Sequence, residues 1–351
     1  MTTGTPHTTA MTTCPSHTTA MTTCPLTSTR RALTAAVTMA ACILSHGAAH
    51  AQPAGKQLTI VVPFPAGAGP DLAARVLGEK LALQLARAVV VENRPGVGGL
   101  VGAGAVAKAT PDGSTLLLAP NTLAISPHVL PKGAGGGIDV QKDLAPVIAV
   151  ATTPMLIVAN PTLGATTIEQ LIAQVKAKPD LAFGSAGNGS PMHFAGEMFA
   201  SAAGLKLTHV PYRGVAPSVT AAIGGEVKLL FVALGGAAQH LESGRLVALA
   251  VAERARTPLL PNVPTLTERG IKGVEVNAWY GVFTAAATPG ATIAALNEAF
   301  NEAVRQPDVR KRLSDAGIEL RGGTPQELAT LMREDDQRYA RIARELKITA
   351  D

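Results

Sequence analysis

The chain has 351 residues, with 30 Lys and Arg against 25 Asp and Glu, 47 % hydrophobic residues and 3 % aromatic ones. So large a hydrophobic share excludes a disordered chain. The mild positive balance has no long run of like charge, and Tyr and Trp are scarce; together these exclude a nucleic-acid surface, which needs a clustered basic face or stacking platforms.

The chain opens on three Thr-rich decapeptides, MTTGTPHTTA, MTTCPSHTTA and MTTCPLTSTR. They read as low-complexity sequence, and Met11 and Met21 each offer an alternative start. A secretory pattern follows. Arg30 and Arg31 form a charged n-region, residues 32–44 an apolar h-region, and Ala49-His50-Ala51 a small-x-small cleavage site. The apolar run is too short to span a bilayer. Residues 1–51 are therefore expected to be leader, with cleavage after Ala51 and export to the periplasm. A lipoprotein anchored at Cys42 is the alternative.

Cleavage removes all three cysteines (Cys14, Cys24, Cys42) and lowers the net charge from +5 to +3. Disulfides, thiolate catalysis and cysteine metal sites leave with them. The remaining histidines, His128, His193, His209 and His240, show no metal-pair spacing, and neither GxSxG nor HExxH occurs. The sequence implies no metal and no cofactor.

From residue 56 the pattern alternates strand and helix. Residues 58–64, 89–91 and 114–119 read as strands, and 70–85 and 98–109 as helices. The alternation resumes with strands at 154–159, 181–185, 207–210, 227–234 and 246–252. Helices are predicted at 168–177, 192–203 and 218–223. The end is helical, over 293–305, 309–316 and a final helix capped by Thr324-Pro325-Gln326-Glu327. Val-, Ile- and Leu-rich strands between helices predict parallel sheets covered on both faces.

Residues 144–168 and 276–297 carry no charge and hold prolines. They read as two extended crossings between two α/β domains. One domain comprises 52–152 and 279–351, the other 153–278, with a hinged cleft between them. One large sheet is the alternative.

Two loops follow strands and open helices: Pro63-Phe64-Pro65-Ala66-Gly67-Ala68-Gly69-Pro70-Asp71 and Gly184-Ser185-Ala186-Gly187-Asn188-Gly189-Ser190-Pro191. Free backbone N–H groups at a helix N-terminus favour a small anion. Each loop also resembles the start of a dinucleotide fingerprint. However, Leu72 and Met192 stand where the third glycine belongs, and Asp71 would repel a pyrophosphate. Helix-start and cap chemistry accounts equally well for Asp71 and Ser190, and core packing for His193.

Five motifs carry a family resemblance: IVVPFPAGAGPD (60–71), VVVENRPGVGGLVGAGAVAKATPDGSTLLLA (89–119), FGSAGNGSPMHFAGEMF (183–199), HVPYRGVAPSVTAAIGGEV (209–227) and LPNVPTLTERG (260–270). In this order they resemble the Bordetella-uptake-gene family, the TctC-type receptors of tripartite tricarboxylate transporters. The resemblance runs from about residue 56 to the C-terminus. It implies a type II periplasmic-binding-protein fold, a non-enzymatic receptor, a small carboxylate ligand, a monomer, and membrane permease subunits as partners.

Carried over by motif, Phe64, Ala66, Gly67, Gly69 and Asp71 form the first ligand loop. Ser185, Ala186, Gly187, Asn188, Ser190 and His193 form the second. Tyr212, Arg213 and Ala216 match a third segment, Asn121 and Thr122 a loop of the first domain, and Trp279 the second crossing. The apolar run Phe231-Val232-Ala233-Leu234 departs from the family's polar residues, so a less polar pocket wall is expected, suited to a ligand with an apolar or aromatic part. An exported α/β enzyme acting on a small acid and a receptor serving a signalling partner are the other readings.

Overall fold

A computed structural model describes residues 56–350. The expected leader, its cleavage point and the Cys42 alternative lie outside the described residues.

Strand β1 (Leu58–Val62) is a β-branched run buried on both faces, which marks an inner strand of a covered sheet. Helix α1 (Gly69–Gln84) starts with Pro70 in its first turn and lays Ala73, Ala74, Val76, Leu77 and Leu81 into the core. β2 (Val89–Asn93), α2 (Leu100–Ala107), β3 (Thr115–Pro120) and α3 (Thr122–Val129) follow. β4 (Leu144–Thr153) and β5 (Met155–Ala159) are separated by Pro154 alone.

Next come α4 (Ile168–Ala177), β6 (Ala182–Ser185), α5 (Pro191–Ala203), β7 (Thr208–Pro211) and α6 (Val215–Gly224). They are followed by β8 (Leu229–Ala233), α7 (Leu234–Glu242) and β9 (Val247–Val251). The chain ends in β10 (Ala278–Ala285), α8 (Gly290–Arg305), α9 (Pro307–Asp315), β11 (Glu319–Leu320) and α10 (Pro325–Glu345). The Thr324 hydroxyl and the Glu327 carboxylate cap α10 reciprocally.

These strands form a six-stranded sheet, β11-β4-β10-β3-β1-β2, and a five-stranded sheet, β7-β6-β8-β5-β9. Both are mixed, which corrects the expectation of parallel sheets. β1 pairs parallel with β2 and β3, and β6 with β7 and β8. β10 is antiparallel to β3 and β4, β11 to β4, and β5 to β8 and β9.

The cause lies in the connections. A helical crossover returns the chain to the same edge, so the strands it joins run parallel. β5 and β10 arrive from the other sheet and enter at the opposite edge. Met155, which begins β5, pairs with Ala233 at the end of β8; Ala278, which begins β10, pairs with Thr153 at the end of β4.

The expected second crossing, 276–297, is extended only over β10 and turns helical at Gly290, the start of α8. After Ala252 the chain loops out through a 3-10 turn at Thr267–Arg269. It returns where the Val276 N–H donates to the Ala252 carbonyl at 2.8 Å, and the Ala252 N–H donates to Met155 at the same distance. The two crossings thus run side by side. α10 packs its Tyr339 edge-on against Phe194 of α5, with ring centroids 5.1 Å apart. Among the described residues, no helix is long and apolar enough to cross a membrane.

Two helices depart from expectation. α3, which contains Pro127, and α7, which begins Leu234-Gly235-Gly236, are not among the predicted helices.

Candidate functional site

Strands β1, β3, β6, β7 and β8 all end on one cavity of about 830 Å3, and the helix after each begins there. Two of these helices, α1 and α3, follow strands of the larger sheet; α5, α6 and α7 follow strands of the smaller one. The cavity therefore lies outside the carboxyl ends of both sheets, where α/β folds place their ligands.

Five helix N-termini meet at its wall. The N-caps Ala68, Asn121, Gly214 and Ala233 supply no side-chain cap; only Ser190 does, its hydroxyl accepting from the His193 N–H at 3.2 Å. First-turn N–H groups and the positive ends of these helix dipoles are thus gathered in one place. The ionic lining agrees in sign. Among the described residues it includes Arg213 and Arg245 and no Asp or Glu. Arg213 forms no ion pair among the described residues, and Arg245 hydrogen-bonds only the Ser243 hydroxyl, at 3.2 Å.

Ten of the expected residues line the cavity: Phe64, Ala66, Gly67, Gly69, Asn121, Thr122, Ala186, Ser190, Arg213 and Ala216. Seven do not. Asp71 lies behind the first loop, where its carboxylate accepts from the Gly67 N–H at 2.9 Å, Asn93 Nδ2 at 2.9 Å and two Arg75 nitrogens at 3.0 Å. Burial pushes its pKa up. The Arg75 guanidinium, the Gly67 N–H and Asn93 outweigh that and hold it below the usual carboxylate range.

Ser185, Gly187 and His193 brace the second loop from within. The Gly187 N–H donates to Ser185 Oγ at 3.1 Å, and Oγ lies 2.7 Å from His209 Nε2. His193 Nδ1 accepts the Gly189 N–H at 3.1 Å. The two imidazoles stack 3.7 Å apart, and burial, then His193, lowers the pKa of His209 to about 4. Asn188 belongs to this loop and stays off the lining.

The Tyr212 N–H donates to Ser185 and the Gly214 N–H to Ala186, each at 3.1 Å, so the second and third segments are tied together. Trp279 is buried in the core, and its Nε1–H donates to Asp335 at 2.8 Å. Asn121 Nδ2 donates to the Asn277 carbonyl at 2.9 Å, which fixes this cap beside the second crossing.

The expected apolar wall is also placed differently. Phe231, Val232 and Leu234 are buried in the core, and only Ala233 of that run reaches the cavity. The reason is the strand itself: β8 is central in its sheet and covered on both faces. Val215, Pro217, Val219 and Ile223 of α6 supply the apolar surface instead.

Sequence reasoning missed Thr153, Tyr280, Gly235, Gly236, Gln239, His240 and Arg245, all on the lining. Gly235-Gly236 carried a usable signal, because it follows a strand as the two glycine loops do. Among the described residues, no group of three His, Cys, Asp or Glu is placed to hold a metal ion.

The family model for tripartite tricarboxylate transporter family receptors, TctC, matches residues 73–348. The chain belongs to this receptor family. The receptor is 30 % identical to the periplasmic binding protein BugD, over 84 % of this chain and 99 % of that one, with a TM-score of 0.76. An R. palustris protein solved with adipate is 30 % identical, with 84 % and 98 % coverage and a TM-score of 0.78. MatC from Rhodopseudomonas palustris, solved with malate, is 30 % identical, with 82 % and 98 % coverage and a TM-score of 0.72. The receptor therefore has the periplasmic-binding-protein fold. Membership in a family of receptors sets aside the exported-enzyme reading.

Proposed function

We propose that this receptor captures a small carboxylate in the cavity at the strand ends and presents it to the membrane subunits of a tripartite tricarboxylate transporter. The observation that carries this reading is the meeting of five helix N-termini at a wall without an acidic side chain. The two relatives solved with adipate and malate support the ligand class.

In this reading 52–152 with 279–351 form one lobe and 153–278 the other. Ligand contacts both lobes and draws them together, to the extent that it binds the closed form better than the open one. Phe64, Ala66, Gly67, Gly69, Thr122, Ala186, Ser190, Arg213 and Ala216 touch the ligand or its bridging waters. Asp71, Ser185, Gly187, Asn188, His193 and Tyr212 hold the loops that do so. Asn121 and Trp279 steady the first lobe beside the crossing. The protein acts as a monomer in the periplasm after cleavage behind Ala51.

Calorimetric titration of the purified protein with aliphatic carboxylates and their amides tests this. Stoichiometric binding of an acid, with its amide at least about tenfold weaker, is the expected result. Equal binding of acid and amide, or no binding of any acid, would overturn it.

A further inference from the structure

A junction between the two sheets borders the cavity. Thr153 ends β4 of the six-stranded sheet, and its hydroxyl donates at 3.1 Å to the carbonyl of Gly317, just ahead of β11. The same oxygen accepts at 3.5 Å from the N–H of Gly235, at the start of α7, which follows β8 of the five-stranded sheet. Gly235 and Gly317 meet backbone to backbone. A β-carbon on Gly317 would come within 2.8 Å of the Gly235 nitrogen, and one on Gly235 within 2.9 Å of the Ala316 carbonyl oxygen. Thr153 and Gly235 line the cavity, so loosening this junction moves the cavity wall.

Two carboxyl groups interact across the junction, off the cavity lining. Glu319 lies on β11, two residues past Gly317; Glu253 follows Ala252, whose N–H donates to the Met155 carbonyl. The Thr257 hydroxyl donates to the Glu319 carboxylate, whereas Glu253 Oε1 is buried without a hydrogen-bond partner. The groups that act on Glu253 are Glu319 and Arg321 from the β11 side and the Met155 backbone from β5. Burial, then Glu319, raises its pKa to about 7 against the other two.

Two ionised carboxylates here repel across the junction, with little water to screen them. A proton from solvent on Glu253 removes that repulsion. Parting the junction hydrates both groups and returns Glu253 toward the ordinary carboxyl range, so the joined arrangement holds the proton more tightly. Linkage fixes the sign: the joined arrangement is favoured below about pH 7 and loses that advantage as pH rises through it. In the joined arrangement helix N-termini from both sheets share the cavity, so a ligand that touches both lobes favours it.

We propose that Glu253 and Glu319 form a proton-held latch between the two lobes, and that ligand capture takes up this proton. This rests on the two-lobe receptor reading above and adds to it a pH control that lies outside the binding wall.

The test uses the full-length wild type, Glu253→Gln and Glu319→Gln, with thermal unfolding at pH 6 as the folding control. Amide exchange of residues 233–237 is followed without ligand at pH 6 and pH 8 and corrected for intrinsic rate. Protection up to about tenfold greater at pH 6 is expected in the wild type. The difference should vanish in Glu253→Gln and shrink in Glu319→Gln, which carries the test alone if Glu253→Gln does not fold. Adipate, malate and hexanoate are then titrated calorimetrically at pH 7 in buffers of different ionisation enthalpy. The tightest binder should take up about half a proton per site in the wild type and almost none in Glu253→Gln. Equal corrected protection at the two pH values, or proton uptake that Glu253→Gln retains, would overturn the latch. Protection that shifts as expected while none of the three acids binds would overturn the carboxylate reading and leave the latch standing.

Discussion

The Tyr280 hydroxyl occupies the space that a side chain at residue 69 would need, so that a β-carbon added to Gly69 would overlap it. Gly69 opens α1 at the first loop, and Tyr280 is a buried residue of β10 within the second crossing. Both line the cavity. Gly69→Ala must displace either the tyrosine or the helix start. We expect at least about tenfold weaker carboxylate binding and about 1–3 kcal/mol lower stability. Titration and denaturant unfolding of the same preparation check both; unchanged affinity would show that the Gly69–Tyr280 contact does not shape the site.

Ser190 separates capping from ligand contact. Its hydroxyl accepts the His193 N–H, so Ser190→Ala should cost about 1 kcal/mol of stability. Aspartate caps as well as serine, so Ser190→Asp should keep that stability. It also places a negative charge on the cavity wall, and acid binding should fall below detection. If Ser190→Asp binds acid normally, Ser190 lies outside the ligand's field.

Asp71 should act through the first loop rather than by touching ligand. Asp71→Ala removes the acceptor for the Gly67 N–H and frees Arg75 and Asn93. Weaker binding is expected together with faster amide exchange at residues 66–68. Asp71→Asn keeps an acceptor oxygen and should fall between the two. Loss of affinity with unchanged exchange would instead mean direct contact.

Glu253 gives a pH signature. Burial, then the neighbouring Glu319, raises its carboxyl from the ordinary 4.5 to about 7. Between those values the folded protein binds this proton more tightly than the unfolded chain does. The contribution of Glu253 to stability is therefore largest below about pH 4.5 and falls as pH rises through 7. Glu253→Gln should flatten the unfolding midpoint over pH 5–8 relative to wild type and raise it at pH 8. Parallel wild-type and variant curves would contradict this.

The glycine loops were legible because strand, small residues and helix start follow one another in the sequence, and the structure brings residues 64–70 of the first loop and Ala186 and Ser190 of the second to one cavity. The direction of individual side chains was not. Asp71 and His193 turn inward to satisfy loop amides, a choice set by the neighbours Arg75, Asn93 and Gly189 rather than by their own motif. α7 was hidden by its opening glycines, and with it His240 and Arg245. The antiparallel setting of β5 and β10 follows from where the chain enters each sheet, which no local pattern records.

The missing acidic side chain on the cavity wall has a consequence for solutes that share an acid head with the ligand. An amino acid would bring an ammonium group into a chamber where, among the described residues, only neutral acceptors such as the Ser190 and Thr122 hydroxyls stand ready and no carboxylate offsets its lost hydration. If the ligand is the acid proposed above, a zwitterion of the same size is disfavoured by omission, without any group devoted to repelling it.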